Sequence, residues 1–333
     1  MDNNHTEEQG FYNLGPDTIL DAVELFGLWP DGSMLALKSY ENRVYRLGIE
    51  EAAPVVVKFY RPGRWSDEAI LEEHAFALEL AEAEVPVVAP LRNDNGETLF
   101  HHAGHRFTVF PCQGGRMPEL SGGKDYEILG RFIGRIHAIG RIRPFRNRPS
   151  ITIESYGHES YQFLLKKGFL PAELNLAYRS LVEDILPVIE ACFQRAGEVD
   201  QIRLHGDCHP SNVLWTETGP HFVDLDDCRT GPAIQDLWML LNGSRAEMTM
   251  QIGDLLEGYT EFCDFNPREL HLVEALRTLR MLYHAAWLAK RWQDPAFPIA
   301  FPWFGEPRYW EDMILGRREQ LGRMQEPPLP IPM

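Results

Sequence analysis

The stretch LHGDCHPSNVLWTETGPHFVD, residues 204–224, predicts a β-hairpin and decides how the rest of the chain is interpreted. Residues 212–216 are apolar and β-prone, and residues 221–224 are β-prone again. Between them, residues 217–220 have the composition of a turn. Two β-prone runs joined by such a turn are the usual signature of a hairpin.

The open end of this hairpin is predicted to concentrate oxygen donors. With the turn centred near Thr218, Asn212 faces Asp224 across the ladder, next to Asp207. Amide and carboxylate oxygens suit Mg²⁺ when waters and phosphate oxygens complete its shell, and a further carboxylate can accept a hydroxyl proton. We therefore predict phosphoryl transfer, with Asp207 and Asp224 as catalytic residues and Asn212 and Asp224 as metal ligands. The alternative is a hairpin whose Asp- and Asn-rich loop binds only water.

The same residues resemble the catalytic segment of the aminoglycoside phosphotransferase and choline kinase group. His205-Gly-Asp207 followed by Asn212 is similar to its H-G-D-x-x-x-x-N pattern, and residues 223–226, VDLD, are similar to the segment where this group has D-x-x-D in place of D-F-G. The resemblance implies ATP and Mg²⁺ as cofactors.

The resemblance also implies an α+β fold of the bilobal, protein kinase-like type. A small, β-rich N-terminal lobe, residues 1–110, would bind the nucleotide. A mostly helical C-terminal lobe, residues 111–333, would carry catalysis and the substrate, and the two lobes would form one kinase-like unit. The length of 333 residues agrees with two lobes better than with one compact core.

A single lysine interrupts a strand-like apolar run at residues 54–60, PVVVKFY. A lysine in such surroundings is costly unless it is paired, and residues 66–80 predict an acidic helix with one buried face. The resemblance implies that Lys58 holds the phosphates of ATP and that Glu73 pairs with Lys58. The rotation of the helix is left open here, so Glu72 remains an alternative partner of Lys58. The other alternative is that both glutamates are solvated and neither pairs with Lys58.

No glycine-rich phosphate loop precedes the lysine strand. Residues 38–47 instead form a turn cluster between two strand-like runs, where short polar side chains and backbone N–H groups can hold phosphates. We predict that Ser39 contacts ATP, with an ordinary hairpin turn as the alternative. Residues 106–111 predict a strand that leads into a glycine-containing loop, and the resemblance implies an interlobe hinge at this point.

Three further polar residues are candidates for supporting roles. His137 falls in a helix predicted over residues 126–139 and is interpreted as a packed, hydrogen-bonded core residue. The resemblance implies that Asp236 hydrogen-bonds the catalytic loop from behind. Asp226 either reaches a second Mg²⁺ or is solvated at the end of the hairpin.

The formal net charge of −17 argues against nucleic acid and against anionic membranes as partners. An acidic cleft would suit a cationic substrate, although most of these charges are expected only to solvate the surface. The one basic run, residues 141–148, is interpreted as a solvated loop. Docking of an acidic partner or a phosphate is the alternative for this run.

The cysteines and the N-terminal residues predict a cytoplasmic location. The five cysteines form no C-x-x-C pair, which favours free thiols in a reducing compartment. The first ten residues, MDNNHTEEQG, are acidic and polar, unlike a signal peptide, and no run of 18 apolar residues occurs. We expect a monomer that has no membrane partner and no nucleic-acid partner.

Motifs spread over residues 16–330 are similar to a bacterial serine/threonine protein kinase family within the same superfamily. They include residues 39–45 (SYENRVY), residues 57–62 (VKFYRP) and residues 231–243 (GPAIQDLWMLLNG). This resemblance implies a stress-response kinase that transfers phosphate to Ser/Thr hydroxyls of protein substrates and of itself. One alternative is a small-molecule alcohol kinase of the aminoglycoside, choline or homoserine type. A non-catalytic pseudokinase that serves as a binding module is the other.

Overall fold

A computed structural model of the chain describes residues 10–11 and 13–331. The acidic N-terminal segment therefore lies almost wholly outside the described residues. The α-helices are α1 (Pro16–Phe26), α2 (Asp67–Glu82), α3 (Gly123–Gly140), α4 (Glu159–Lys167), α5 (Asn175–Ala196), α6 (Ile234–Trp238), α7 (Arg245–Tyr259), α8 (Val273–Lys290), α9 (Ala296–Ala300) and α10 (Pro307–Gln325). The strands are β1 (Pro30–Leu37), β2 (Arg43–Ile49), β3 (Ala52–Phe59), β4 (Phe100–His102), β5 (His105–Pro111), β6 (Ile202–Leu204), β7 (Val213–Thr216), β8 (Gly219–Phe222) and β9 (Arg229–Gly231).

The chain divides into two compact units whose segments interleave in the sequence. Of the described residues, the first unit contains those up to 118 together with 145–148 and 211–228, and the others form the second. The hairpin β7–β8 thus groups with the N-terminal sheet, although it lies more than 90 residues later in the chain. A single boundary at residue 110 therefore differs from this division, because the hairpin belongs to the first unit although it is distant in sequence from the sheet.

The first unit contains a five-stranded antiparallel sheet in the order β1-β2-β3-β5-β4. The predicted strands at residues 54–60 and 106–111 correspond to β3 and β5. Alternate side chains of the sheet meet one face of α1, as expected for a sheet that is covered by a helix. The buried residues of this core include Ile19, Val23, Leu47, Val57, Phe59, Phe107 and Val109.

The second unit is mostly helical, with a two-stranded ribbon formed by β6 and β9. Helices α3 and α7 cross so closely that a Cβ atom at Gly130 would collide with the Leu255 carbonyl oxygen. Gly258 faces the Glu127 carbonyl oxygen in the same way. Glycine is therefore required at this crossing, and the crossing fixes α3, which carries His137. Over the residues that the structure describes, no helix is long and apolar enough to span a membrane.

Candidate active site

In the first unit, Lys58 is a buried cation whose ammonium group donates a 2.9 Å hydrogen bond to Glu73 Oε1. Strand β3 presents Lys58 from the centre of the sheet, between β2 and β5. Helix α2 presents Glu73 and begins after Ser66, whose hydroxyl accepts the Ala69 N–H at 3.2 Å. The predicted contact between Lys58 and Glu73 is confirmed.

The neighbouring Glu72 has a different, structural role in the same unit. Its carboxylate accepts three backbone N–H groups, from Arg146 and Asn147 at 2.7 Å and from Arg148 at 3.0 Å. Glu72 therefore anchors the short segment 145–148 to α2. The interpretation of both glutamates as solvated charges is wrong, because Glu73 is buried and Glu72 is engaged by backbone donors.

The replacement Glu73→Gln is expected to lower the affinity for the nucleotide by about tenfold. A neutral amide no longer holds the lysine through a charge-assisted hydrogen bond, and such a bond contributes about 1.5–3 kcal/mol. Glu72→Gln is the matched control, and we expect it to lower the melting temperature without changing nucleotide affinity. Calorimetric titration and thermal unfolding of both variants measure the two effects. Equal losses of nucleotide affinity in the two variants would contradict the separation of roles.

The electrostatics of this cluster keep Lys58 charged. Burial alone would lower the pKa of Lys58, but the carboxylates of Asp226 and Glu73 raise it well above its usual value. Burial raises the pKa of Glu73, and Lys58 opposes that shift. The lysine is therefore a fixed positive charge held among carboxylates.

The hairpin β7–β8 is present, but its register differs from the prediction by one residue. Val213 pairs with Phe222 and Thr216 pairs with Gly219. Beyond the last pair, the Val223 N–H donates to the Asn212 carbonyl at 3.0 Å. The expectation that Asn212 faces Asp224 directly is therefore wrong, and Asp224 follows one position later.

The register differs because the turn is shorter than its composition suggests. Gly219 and Pro220 belong to β8, so the turn consists of Glu217 and Thr218. The Thr216 hydroxyl donates to the Gly219 carbonyl at 2.9 Å and accepts the Thr218 N–H at 3.2 Å. A side-chain hydroxyl thus closes the turn, whereas the composition of residues 217–220 predicts that Gly219 and Pro220 form part of it.

Asp224 leaves the hairpin in a left-handed backbone conformation, with φ 61° and ψ 62°. Asp and Asn adopt this region at lower cost than other residues with a side chain. The turn leaves the carboxylate about half exposed, with Oδ1 3.7 Å from the Lys58 ammonium group. An accessible carboxylate beside a buried lysine is suited to hold a cation that also contacts phosphate.

Asp224 and Asn212 offer oxygen donors of the kind that Mg²⁺ takes from proteins. Among the described residues, no group of three or more His, Cys, Asp or Glu side chains is arranged to hold a metal ion. Mg²⁺ usually takes one or two carboxylates from the protein and completes its shell with water and phosphate oxygens. The exposed carboxylate of Asp224 and the amide of Asn212 match this pattern, and their metal-binding role stays a prediction.

Asp226 is buried, so its interpretation as a solvated residue is wrong. Its carboxylate lies 3.4 Å from the Lys58 ammonium group and forms a short ion pair with Arg64. Arg64 also reaches Asp227 at 2.7 Å. Burial alone would raise the pKa of Asp226, but Arg64 and Lys58 lower it below its usual value. Arg64 thus fixes the turn that follows Asp224. No sequence motif indicated this role of Arg64.

Arg148 corrects the interpretation of the basic run as a solvated loop. Its guanidinium group is buried, donates to the carbonyl oxygens of Asp226 and Cys228, and stacks 4.1 Å from the Trp65 ring. Arg141, Arg143 and Arg146 remain exposed, as predicted. The last arginine of the run therefore supports the residues that follow the hairpin, and its burial left no signal in the composition.

In the second unit, the loop that carries Asp207 is held by a buried carboxylate. Asp236 accepts the backbone N–H groups of His205 and Gly206, both at 2.9 Å. His137 contacts Asp236 at 3.0 Å through Nε2 and the Tyr259 hydroxyl at 3.0 Å through Nδ1. The predicted supporting role of Asp236 and the packed, hydrogen-bonded state of His137 are confirmed.

The side chain of Asp207 has two basic neighbours in that unit. Arg280, on α8, lies 2.7 Å from Oδ1, and His209 Nε2 lies 3.3 Å from Oδ2. About a fifth of the carboxylate is exposed. The proximity of Asp207 to the open end of the hairpin stays a prediction. Arg280 was not identified from the sequence, because it lies in a helical segment rich in core residues.

A cavity of about 510 Å³ lies in the second unit beside the same arginine. Its lining combines basic, aromatic and apolar side chains: Trp238, Arg277, Arg280, Met281, His284, Tyr309, Asp312, Met313 and Arg317. This volume is within the usual range for small-molecule sites. Because Arg280 lines the cavity and pairs with Asp207, the cavity adjoins the predicted catalytic carboxylate.

Ser39 lies in the connection between β1 and β2, as the turn cluster predicted, and its side chain is half-buried. The strand predicted at residues 106–111 ends at Pro111, and an irregular segment follows up to α3. The contact of Ser39 with ATP and the hinge role of residues 112–115 stay predictions.

Comparison with known proteins identifies the family. A model of the phosphotransferase enzyme family, APH, matches residues 34–273. The chain belongs to this family. Two curated relatives are each 45% identical over 321 residues, which is 96% of this chain and 97% of theirs. They are serine/threonine protein kinase RdoA of Salmonella typhimurium strain LT2 and stress response kinase A of Escherichia coli strain K12.

The fold is also shared with a solved kinase structure. A complex of amicoumacin kinase hAmiN with AMP-PNP, Ca²⁺ and Ami superposes with a TM-score of 0.71 at 18% identity. The match covers 94% of this chain and 95% of that one. The antiparallel sheet and the helical part are therefore those of the aminoglycoside phosphotransferase and choline kinase-like fold, and the predicted α+β class is confirmed. The chain is a kinase by family.

Proposed function

We propose that this kinase transfers the γ-phosphate of ATP to serine and threonine hydroxyls of proteins, with Mg²⁺ as the metal. The observation that carries the proposal is the 45% identity over nearly the full length to a protein named serine/threonine protein kinase RdoA. The relatives named stress response kinase A support a role in bacterial stress response. We include autophosphorylation, a cytoplasmic location and a monomeric state in the proposal.

In the first unit, Lys58 and its partners form the proposed nucleotide-binding group. The Lys58 ammonium group, positioned by Glu73, neutralises phosphate oxygens of ATP. Asp224 and Asn212 would hold Mg²⁺, which would supply positive charge next to the phosphates of the nucleotide. Arg64 and Arg148 hold the segment after Asp224 in place, so that the carboxylate is positioned before the nucleotide arrives.

In the second unit, Asp207 accepts the proton of the acceptor hydroxyl, or orients that hydroxyl. The backbone of its loop is tied to Asp236, and its carboxylate is oriented by Arg280. A carboxylate held on both its backbone and its side chain loses little conformational freedom during the reaction, which favours catalysis by positioning.

The second candidate function is phosphorylation of a small alcohol. The observation that favours it is the cavity of about 510 Å³, because small substrates are usually bound in concave pockets. The same catalytic groups serve either acceptor, so they do not distinguish the two functions. The intact set of Lys58, Asp207, Asn212 and Asp224 favours either kinase over a pseudokinase.

Labelled ATP, followed by phosphoamino-acid analysis, tests the proposal. The purified protein is incubated alone, with lysate proteins, and with aminoglycoside, choline and homoserine. We expect phosphoserine or phosphothreonine that disappears in the Asp207→Ala protein. Rapid labelling of one of the alcohols without label on any protein would favour the second candidate, and omission of Mg²⁺ should stop either reaction.

A further inference from the structure

Three arginines line the cavity beside Asp207, in a protein whose overall charge is strongly negative. They are Arg277 and Arg280 on α8 and Arg317 on α10. The lining contains a single carboxylate, Asp312, which is about 70% exposed and lies 3.7 Å from Arg308. The lining therefore contains more cationic than anionic side chains, and of the three arginines Arg277 and Arg280 are paired with carboxylates that lie outside the lining, those of Glu274 and Asp207.

Arg317 is a buried cation that no carboxylate of the described residues approaches within ion-pair distance. It is 5% exposed, and its guanidinium group donates to the carbonyl oxygens of Met281 and Met313. Its Nε atom is buried without a hydrogen-bond partner among the described residues. Burial lowers the pKa of Arg317. A buried charge satisfied only by neutral acceptors is costly, and an anion would offset that cost.

Arg277 is held in place by one carboxylate and one aromatic ring. Its guanidinium group forms an ion pair with Glu274 at 3.6 Å and lies over the Trp238 ring at 5.4 Å. Stacking on an aromatic ring fixes the plane of the guanidinium group and leaves its edge for an anion. Burial lowers the pKa of His284 to about 4, so this neighbour is neutral and adds no charge of its own.

Arg280 connects the cavity to the predicted site of proton transfer. Its guanidinium group lies 2.7 Å from Asp207 Oδ1, and its side chain lines the cavity. A guanidinium group has five N–H donors, so pairing with one carboxylate leaves donors for a second anion. An anion in the cavity would therefore lie close to the residue that receives the acceptor hydroxyl.

We propose that this cavity binds an anionic side chain of the protein acceptor, a carboxylate or a phosphate, that flanks the phosphorylated Ser or Thr. The inference rests on the proposed protein kinase function and names the acceptor class of the same site. It differs from the expectation that an acidic protein takes a cationic acceptor. The net charge of −17 describes the whole chain, whereas the groups that recognise the acceptor are local.

Matched peptides with one serine acceptor test the inference. The serine is flanked by glutamate, phosphoserine, glutamine or lysine in otherwise identical peptides, and kcat/KM is measured for each. We expect kcat/KM for the glutamate and phosphoserine peptides to be about tenfold higher than for the glutamine peptide. One charge-assisted hydrogen bond would give a difference of this size. The ratio between these two distinguishes a carboxylate from a phosphate as the preferred anion. Equal values for glutamate and glutamine, or a preference for lysine, would overturn the inference.

Two neighbouring arginines provide a matched pair of variants. Arg317→Gln removes the buried cation, whereas Arg318→Gln removes an exposed cation one residue later. We expect only the first to reduce the glutamate-to-glutamine ratio towards one. Arg277→Gln is the second test variant, which keeps the inference testable if Arg317→Gln does not fold. An unchanged ratio in a folded test variant would show that the preference arises elsewhere.

Calorimetry with inorganic phosphate separates this inference from the proposed function. Binding of phosphate that Arg277→Gln weakens, together with no phosphorylation of any peptide, would support the anion site and contradict the protein kinase. Phosphorylation of all peptides at equal rates would contradict the anion site and support the protein kinase. Absence of both peptide phosphorylation and phosphate binding would contradict both.

Discussion

The replacement Asp207→Ala is expected to lower the rate of phosphoryl transfer by about 10² to 10⁴, the usual contribution of a positioned general base. The nucleotide should still bind, because its phosphates are proposed to be held by Lys58 and by the metal on Asp224 and Asn212. Initial rates with labelled ATP and calorimetric titration with ATP measure the two properties separately. The variant is to be compared at saturating ATP, so that only the transfer step is observed.

Asp184→Ala is the control, since Asp184 is an exposed carboxylate on α5 of the same unit. It should leave turnover unchanged. Asp207→Asn keeps the shape of the side chain and its contact with Arg280, and should be nearly as slow as Asp207→Ala if proton acceptance is what matters. Turnover by Asp207→Ala close to that of the wild type would show that another group handles the hydroxyl.

The pairing of Lys58 with Glu73 was predictable from the sequence. The spacing of the apolar residues in α2 also indicates which of the two glutamates is buried. Position 73 lies three or four residues from each of Ala69, Ile70, Phe76 and Ala77, which are all buried. A glutamate at the centre of that helical face must be buried, and a buried glutamate needs a cation. The rotation of α2 was therefore present in the pattern of its apolar residues.

The hairpin was predictable as a hairpin but not in its register. Gly and Pro next to each other favour a turn in general, yet here they begin β8 because the Thr216 hydroxyl closes a shorter turn. Local side-chain hydrogen bonds of this kind depend on a rotamer, which composition does not determine. A one-residue shift changes which side chain points to each face.

The buried cations around the site could not be predicted from sequence patterns. Arg64 and Arg148 come from loops, and their partners Asp226 and Asp227 are distant in sequence. Nothing in the local residues distinguishes such an arginine from a solvated one. These arginines meet their partners because residues 145–148 and 211–228 belong to the first unit, which the local sequence does not indicate.

The contrast between these cases has a physical origin. Periodicity reports the environment of a residue within its own element, so it finds the strand of Lys58 and the buried face of α2. Long-range ion pairs depend on how separate elements approach one another, and no period encodes that approach. The supporting residues of the site are mostly of the second kind, and therefore the sequence identified the candidate chemical groups better than the residues that position them.

Replacement of Asp224 by asparagine is expected to lower the transfer rate by about 10² to 10³ and to weaken Mg²⁺-dependent nucleotide binding. A metal that neutralises phosphate charge stabilises the transition state by several kcal/mol. An amide holds Mg²⁺ more weakly than a carboxylate does. Asparagine is preferred to alanine in this test because it tolerates the left-handed backbone at φ 61°. The loss then reports the charge rather than backbone strain.

Titration of the nucleotide at several Mg²⁺ concentrations measures the effect of Asp224→Asn. The wild-type protein should bind the nucleotide more tightly as Mg²⁺ increases, and the variant should lose most of that dependence. Asp94→Asn, in an exposed turn of the same unit, is the control and should behave as the wild type. Because Asp224 also lies 3.7 Å from Lys58, its neutralisation should leave metal-free nucleotide binding unchanged or slightly tighter. The same dependence on Mg²⁺ in Asp224→Asn and in the wild type would place the metal on other residues.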